Sequence, residues 1–99
     1  MTGPIYKVFL VKPKEAWYQL SQDERKKLGE KLMALTKPAG LKPTLQCWSG
    51  WSSEQWPYFG VEEYPNLEAV QKVSQIHQDI DWYRYMDSIT VLGTKTEFK

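Results

Sequence analysis

Four segments carry apolar residues at the alternating spacing that predicts β-strands. They are residues 5–12, 42–51, 56–64 and 88–98. The first has Phe9 and Val11 on one face and Val8 and Leu10 on the other, which is typical of a strand buried on both sides. The polar residues 52–55 separate the second strand from the third, so these two strands predict a β-hairpin.

Helical spacing follows the first predicted strand. Residues 14–20 predict a short helical turn, and Ser21 with Glu24 has the spacing of a capping box at the start of a longer helix. The apolar stripe of that helix is predicted at Leu28, Leu32 and Leu35. The segment TKPAG then predicts the end of the helix, because proline and glycine interrupt it.

A second helix is predicted between the third and fourth strands. Asn66 suits its N-cap. Its apolar stripe is predicted at Leu67, Val70, Val73, Ile76 and Ile80. The aromatic segment 82–86 predicts a short helical extension before the last strand. The order of elements is therefore β-α-β-β-α-β, which predicts an α+β, ferredoxin-like fold.

Right-handed connections in this fold place both helices on one face of a four-stranded antiparallel sheet. The opposite face of the sheet is then bare, although the first strand and the hairpin carry apolar or aromatic residues on both faces. A bare apolar face of that size is an association surface. We therefore predict a homodimer in which two sheets pack face to face.

Composition narrows this picture without naming a function. The 99 residues, 41% of them hydrophobic, fit one domain over residues 1–99. A net charge of +1 favours neither nucleic acid nor a membrane surface as a partner, and no segment reaches the roughly 20 apolar residues of a membrane span. Cys47 is the single cysteine, so no intrachain disulfide forms and a reducing, cytoplasmic location is expected.

Several motifs along nearly the whole chain resemble one superfamily. They are the opening VFLVKPKEAWYQLSQDERKKL, WS in the second strand, YFGV and YPN in and after the third, and DWYRYM leading to Gly93. On these residues the chain resembles the dimeric α/β-barrel (ferredoxin-like) superfamily, and more closely its small, stand-alone, uncharacterised members. The resemblance implies a pocket within each subunit, between the sheet and the helices.

The wider superfamily implies several activities. It includes cofactor-independent monooxygenases of polyketide-type aromatics, haem-degrading and other haem-binding enzymes, muconolactone-type isomerases, and ligand-binding or stress-related proteins. The haem-degrading members use a helix histidine as the iron ligand, a role that His77 matches. They also use a specific polar residue of the first strand, where this chain departs from the pattern by having Lys7 and no asparagine.

His77 is the candidate catalytic residue, because it alone titrates near neutral pH without perturbation. The alternative is a structural histidine at the helix edge. The candidate walls for a flat substrate are Tyr6, Trp48, Tyr58, Trp82 and Tyr85. Packing in the core or the dimer interface is the alternative for each ring. Glu62, on the strand face of Tyr58, is either an isolated base or a surface charge.

Three functions remain open on the sequence. The leading hypothesis is a homodimer that binds a small planar organic molecule without a cofactor, and that either only binds it or also oxidises or isomerises it. The first alternative is a haem-binding or haem-degrading protein that uses His77. The second is a non-catalytic structural or interaction protein. No metal site is predicted, since one histidine and one cysteine provide no ligand spacing.

Overall fold

The computed structural model describes residues 3–97 and contains a four-stranded antiparallel sheet. Its strands are β1 (Ile5–Pro13), β2 (Lys42–Trp48), β3 (Tyr58–Tyr64) and β4 (Met86–Gly93), in the spatial order β2-β3-β1-β4. The helices are α1 (Glu15–Tyr18), α2 (Gln22–Thr36) and α3 (Leu67–Asp79), and a 3₁₀ turn follows at Trp82–Arg84. The predicted α+β fold class, with its βαββαβ order, is confirmed.

Both long helices begin where the sequence predicts. The Ser21 hydroxyl accepts a hydrogen bond from the backbone N–H of Glu24 at 3.1 Å, and the Glu24 carboxylate accepts one from the backbone N–H of Ser21 at 2.9 Å. At the start of α3, the Asn66 side chain accepts from the N–H of Ala69 at 2.9 Å. These caps satisfy backbone donors that the first turn of a helix leaves unpaired.

The hairpin strands are shorter than predicted, since β2 stops before residue 51 and β3 starts after residue 56. Pro57 lacks the N–H that strand pairing needs. Ser49 closes the loop instead: its N–H donates to the carbonyl of Pro57 at 2.7 Å, and its hydroxyl donates to the carbonyl of Trp56. The last strand ends at Gly93, and Phe98, its predicted end, lies outside the described residues.

Helix α2 turns only part of the predicted stripe toward the sheet: Leu32 lines the space between them, and Leu28 is half-buried. Leu35 is 42% exposed, whereas its neighbour Thr36 is fully buried. The hydroxyl of Thr36 donates to the carbonyl of Leu32 at 2.8 Å, so a polar residue is buried here without an unpaired donor. Arg25 and Gly29 lie on the same inward stripe. The prediction for Leu35 is therefore wrong, because apolar character alone does not set the rotation of a helix.

The hydrophobic core fills only one end of the space between the helices and the sheet. It comprises Ile5, Leu41, Tyr64, Ala69, Val70 and Val73. These residues come from the start of β1, the position just before β2, the end of β3 and the first half of α3. The core residues therefore do not fill the other end of the space between the helices and the sheet.

The face of the sheet that points away from the helices, called the outer face below, is apolar and exposed. Strand pairing places Val8 opposite Val61 and Val91, and Leu10 opposite Ile89. Its most exposed apolar members are Val8, Leu45, Phe59, Ile89 and Val91. Within residues 3–97, the helices are too short or too polar to cross a membrane.

Candidate functional site

A cavity of about 480 Å³ lies between the sheet and the helices, at the end that the core leaves free. Strand alternation brings Lys7, Phe9 and Val11 of β1 to this face. The antiparallel register places Glu62 opposite Lys7 and Tyr58 opposite Val11. The sheet therefore supplies a floor with charged residues at one end and aromatic, aliphatic and uncharged polar residues along the rest, the polar ones being Gln46, Ser88 and Thr90.

Two glycines shape the cavity. Gly60 lies opposite Phe9, and a Cβ added to it would come within 2.6 Å of both the Phe9 ring and the carbonyl oxygen of Leu45. The missing side chain lets the Phe9 ring lie against β3. On α2, a Cβ added to Gly29 would meet no atom within 4 Å. Gly29 therefore leaves open space in the cavity wall that a larger residue would fill.

The polar end of the cavity consists of Lys7, Glu62, His77 and Tyr83. The Lys7 Nζ and Glu62 Oε1 atoms are 3.7 Å apart, and the two side chains are 12% and 16% exposed. The Tyr64 hydroxyl donates to Glu62 Oε1 at 2.8 Å. Burial and the Glu62 carboxylate raise the pKa of Tyr64 and of Tyr83, so both hydroxyls keep their protons at neutral pH.

His77 is buried in α3 as a neutral imidazole. Burial, and then the nearby Lys7 ammonium, lower its pKa to about 4. The Tyr83 hydroxyl lies 3.4 Å from Nδ1. Among residues 3–97, Nε2 has no hydrogen-bond partner, yet it is not fully buried. His77 also lines the cavity, so Nε2 is the nitrogen that remains available to a bound molecule.

The chain reverses after α3 through Asp81, whose φ of 57° lies in the left-handed region. This turn brings Trp82 and Tyr83 back over His77. The Trp82 ring stacks on the imidazole at 6.4 Å and 27°, and the Tyr83 ring meets it edge-on at 5.8 Å. The Lys14 ammonium donates to the carbonyl of Tyr83 at 2.8 Å, which ties this aromatic wall to the N-terminal end of α1.

Trp17 and Arg25 extend the wall on the side of α2. The Trp17 ring packs edge-on against Trp82 at 6.1 Å. The Arg25 guanidinium lies 5.9 Å from the centre of the Trp17 ring and donates to the carbonyls of Trp17 and Tyr18 at 3.1 Å each. Through these contacts, Arg25 holds α1 against α2.

Three of the six residues predicted for the site lie together in the cavity: Tyr58, His77 and Trp82. Tyr6 is on the outer face, where the neighbouring Glu63 raises its pKa. Strand alternation explains this, because Tyr6 follows Ile5 and precedes Lys7, which both face the helices.

Trp48 and Tyr85 also lie outside the cavity lining. Trp48 is 61% exposed at the end of β2, with its ring folded over Gly50. The Tyr85 ring packs edge-on against Trp17 at 6.5 Å and supports the aromatic wall from behind. The position of each ring depends on loop and strand ends, which the apolar pattern predicted only approximately.

Sequence reasoning missed Trp17, Arg25 and Tyr83 as cavity residues, and it treated Lys7 only as a departure from a family pattern. One signal was present for Lys7, because a charge in a strand apolar on both faces needs a partner. For the others, contact with the cavity depends on the turn at Asp81 and on the rotation of α2, and neither has a signature in the sequence.

Solved structures of chlorite dismutases share this fold. A mutant of chlorite dismutase from Candidatus Nitrospira defluvii matches with a TM-score of 0.77 and 20% identity, over 98% of this chain and 42% of that one. A candidate chlorite dismutase matches with a TM-score of 0.75 and 14% identity, over 98% and 47%. This chain therefore spans less than half the length of these two proteins.

Neither a family model nor a curated protein sequence matches this chain. At 14% and 20% identity, the structural likeness shows the fold alone. That shared fold is ferredoxin-like, as the resemblance drawn from the sequence motifs implied.

Proposed function

We propose that this protein binds a small planar organic molecule in the cavity between its sheet and its helices. The observation that carries the proposal is the cavity of about 480 Å³, because small-molecule sites span roughly 300–1,000 Å³ and combine apolar walls with a few polar groups. Phe9, Trp17, Tyr58 and Trp82 offer flat apolar faces to such a molecule. The polar end would set its orientation.

In this proposal His77 exchanges a proton with the bound molecule. The pKa of about 4 keeps its imidazole neutral at pH 7, and Nε2 is the nitrogen without a protein partner among residues 3–97. A positioned neutral imidazole can accept a proton from a substrate. Because a base with this pKa is weak, binding is the primary function proposed, and oxidation or isomerisation of the bound molecule is secondary.

Haem is the second candidate ligand, and the fold neighbours favour it, because chlorite dismutase-like proteins bind haem. The residues present fit the group in part. A neutral imidazole is the form that ligates a metal, so His77 would hold the iron, with Trp17 and Trp82 as apolar walls. Bound haem would supply redox chemistry at iron. Lys7, in place of asparagine, argues against a haem-degrading reaction.

We also propose that the active form is a homodimer, paired through the outer face. Both ends of this face carry charges of both signs, since the strand register places Lys42 opposite Glu63 at one end and Lys12 opposite Asp87 at the other. A twofold axis places the outer face of one copy against the outer face of the other, and a face with both signs of charge at each end can pair with itself. Its exposed apolar centre is then removed from water.

Native mass spectrometry of gently purified protein tests the binding proposal, with a variant that blocks the cavity. Gly29→Leu places a leucine in the open space beside α2. Ala34→Leu, on the exposed side of the same helix, is the matched control. We expect added mass on the wild type and on Ala34→Leu, and its loss in Gly29→Leu.

The mass of the bound molecule separates the two candidates. A small organic mass supports the first, whereas the mass of haem, with a Soret band that His77→Ala removes, supports the second. Retention of the same ligand by Gly29→Leu would contradict binding in this cavity. If the purified protein carries no added mass, it is titrated by calorimetry with planar aromatic compounds and with haem. Failure to bind either of them would contradict the proposal.

A further inference from the structure

Lys7 projects from the middle of the sheet into the cavity, where a lysine is unusual. Its side chain is 12% exposed, and lysine is almost never buried unless it is paired. Among residues 3–97, Glu62 supplies the one carboxylate within 4 Å of its ammonium. The separation of 3.7 Å exceeds the ~2.7–2.9 Å of a charge-assisted hydrogen bond. The N–H donors of the Lys7 ammonium are therefore not fully paired with carboxylates among residues 3–97.

Glu62 is already engaged by a different donor. Its Oε1 atom accepts the Tyr64 hydroxyl at 2.8 Å, and Tyr64 is itself almost completely buried. Tyr64 belongs to the hydrophobic core, so it holds the carboxylate toward that end of the sheet. The Glu62 carboxylate therefore lowers the free-energy cost of burying the Lys7 charge. It does not satisfy all the hydrogen-bond donors of the Lys7 ammonium.

The charges that line the cavity do not cancel. Lys7 and Arg25 contribute two positive charges, Glu62 contributes one negative charge, and His77 is neutral. Arg25 donates to two backbone carbonyls and lies over two aromatic rings. Lys7 is therefore the cation that remains for a bound molecule.

We infer that the ligand of this cavity carries an anionic head group, a carboxylate or a phenolate, which the Lys7 ammonium binds at the polar end. The inference rests on the proposed function and narrows it to planar organic acids. The aromatic walls contact the apolar body of the molecule, and the head group completes the hydrogen bonds of Lys7. It also brings the reacting end of the ligand beside His77.

A pair of probes that differ in the charge of the head group tests this inference. At pH 7.5, 2-naphthoate is an anion and 2-naphthamide is neutral, with nearly the same shape. Isothermal titration calorimetry is run on the wild type, Lys7→Met, Lys7→Arg and Lys72→Met. Lys72 lies on the exposed side of α3, so its loss matches the change in net charge without altering the cavity.

The wild type and Lys72→Met are expected to bind naphthoate roughly tenfold or more tightly than naphthamide, since a hydrogen bond to a charged group is worth that much. Lys7→Met is expected to bind the two probes within about twofold of each other, and Lys7→Arg to restore part of the preference. Circular dichroism confirms that each variant is folded before titration.

Other outcomes separate the two proposals. Equal binding of both probes by the wild type would overturn the inference and leave the planar-ligand function standing. An undiminished preference for naphthoate in Lys7→Met would show that another group binds the anion, which also overturns it. Binding of neither probe by the wild type would count against the cavity as a planar-ligand site and against the inference together.

Discussion

Glu62 lies opposite Lys7 in the register of β1 and β3, with its side chain 16% exposed. The sequence left two interpretations for it, an isolated base or a surface charge. The structure supports neither, because Glu62 is shielded from solvent and engaged by both Tyr64 and Lys7. At the scale of single residues, chemistry in this protein therefore depends on pairs that only the strand register brings together.

His77 should make the protein sensitive to acid. Its pKa is about 4 in the folded chain and ordinarily 6.5, so the unfolded state binds the proton more tightly. The contribution of neutral His77 to the free energy of unfolding is fully present above about pH 6.5. The free energy of unfolding decreases by roughly 2–3 kcal/mol as the pH drops to about 4.

Urea unfolding at pH 7.5 and at pH 4.5 measures this loss, with His77→Gln as the comparison. Carboxylates that also titrate in this range affect both proteins alike, so the difference between the two proteins isolates the histidine. His77→Gln should lose less stability between the two pH values than the wild type. Equal losses would mean that His77 is already protonated in the fold or exposed in it.

At the scale of secondary-structure elements, glycines decide how closely neighbours pack. Gly60 in β3 lies under the Phe9 ring, whereas Gly29 in the middle of α2 meets no neighbour. One residue type therefore has opposite consequences in two elements. In β3 it permits a contact that forms the cavity floor, and in α2 it leaves a gap in the cavity wall.

Alanine at each glycine should shift stability in opposite directions. Gly60→Ala places a Cβ within 2.6 Å of the Leu45 carbonyl oxygen and is expected to destabilise the protein by about 1–3 kcal/mol. Gly29→Ala replaces a helix-interior glycine in open space and is expected to stabilise it by up to about 1 kcal/mol. Thermal unfolding measures both, and destabilisation by Gly29→Ala would show that α2 packs more tightly there than described.

At the scale of the whole molecule, the uneven distribution of apolar surface is the main feature. The helices cover one face of the sheet, while the outer face exposes Val91 by 61% and Leu45 by 51%. Contiguous apolar surface of this kind is uncommon on monomers. A second copy on this face would bury it, and this is the association that we propose.

Two substitutions of equal exposure test the proposed dimer. Val8, at the centre of the outer face, is 41% exposed in the isolated subunit, and Leu35, on α2, is 42% exposed. Val8→Glu should convert a dimer into monomers, because it buries an unpaired charge in the interface. Leu35→Glu should leave the dimer intact. Size-exclusion chromatography with light scattering reads the mass, and a monomeric wild type at micromolar concentration would contradict the dimer.

The sequence by itself determined the fold, because the signals that specify it are local. The capping box at Ser21, the N-cap at Asn66 and the two faces of β1 each depend on residues only a few positions apart. Together they were sufficient for the βαββαβ order and for the bare outer face, whereas His77 became a candidate as the single histidine of the sequence.

The tertiary structure alone decided the site, because its members are distant in the chain. Lys7 meets Glu62 only through the register of β1 and β3, and Trp82 meets Trp17 only through the turn at Asp81. Alternation placed Tyr6 on the outer face, one residue away from a cavity position. Such contacts depend on register, helix rotation and loop ends, which the apolar pattern of a sequence does not encode.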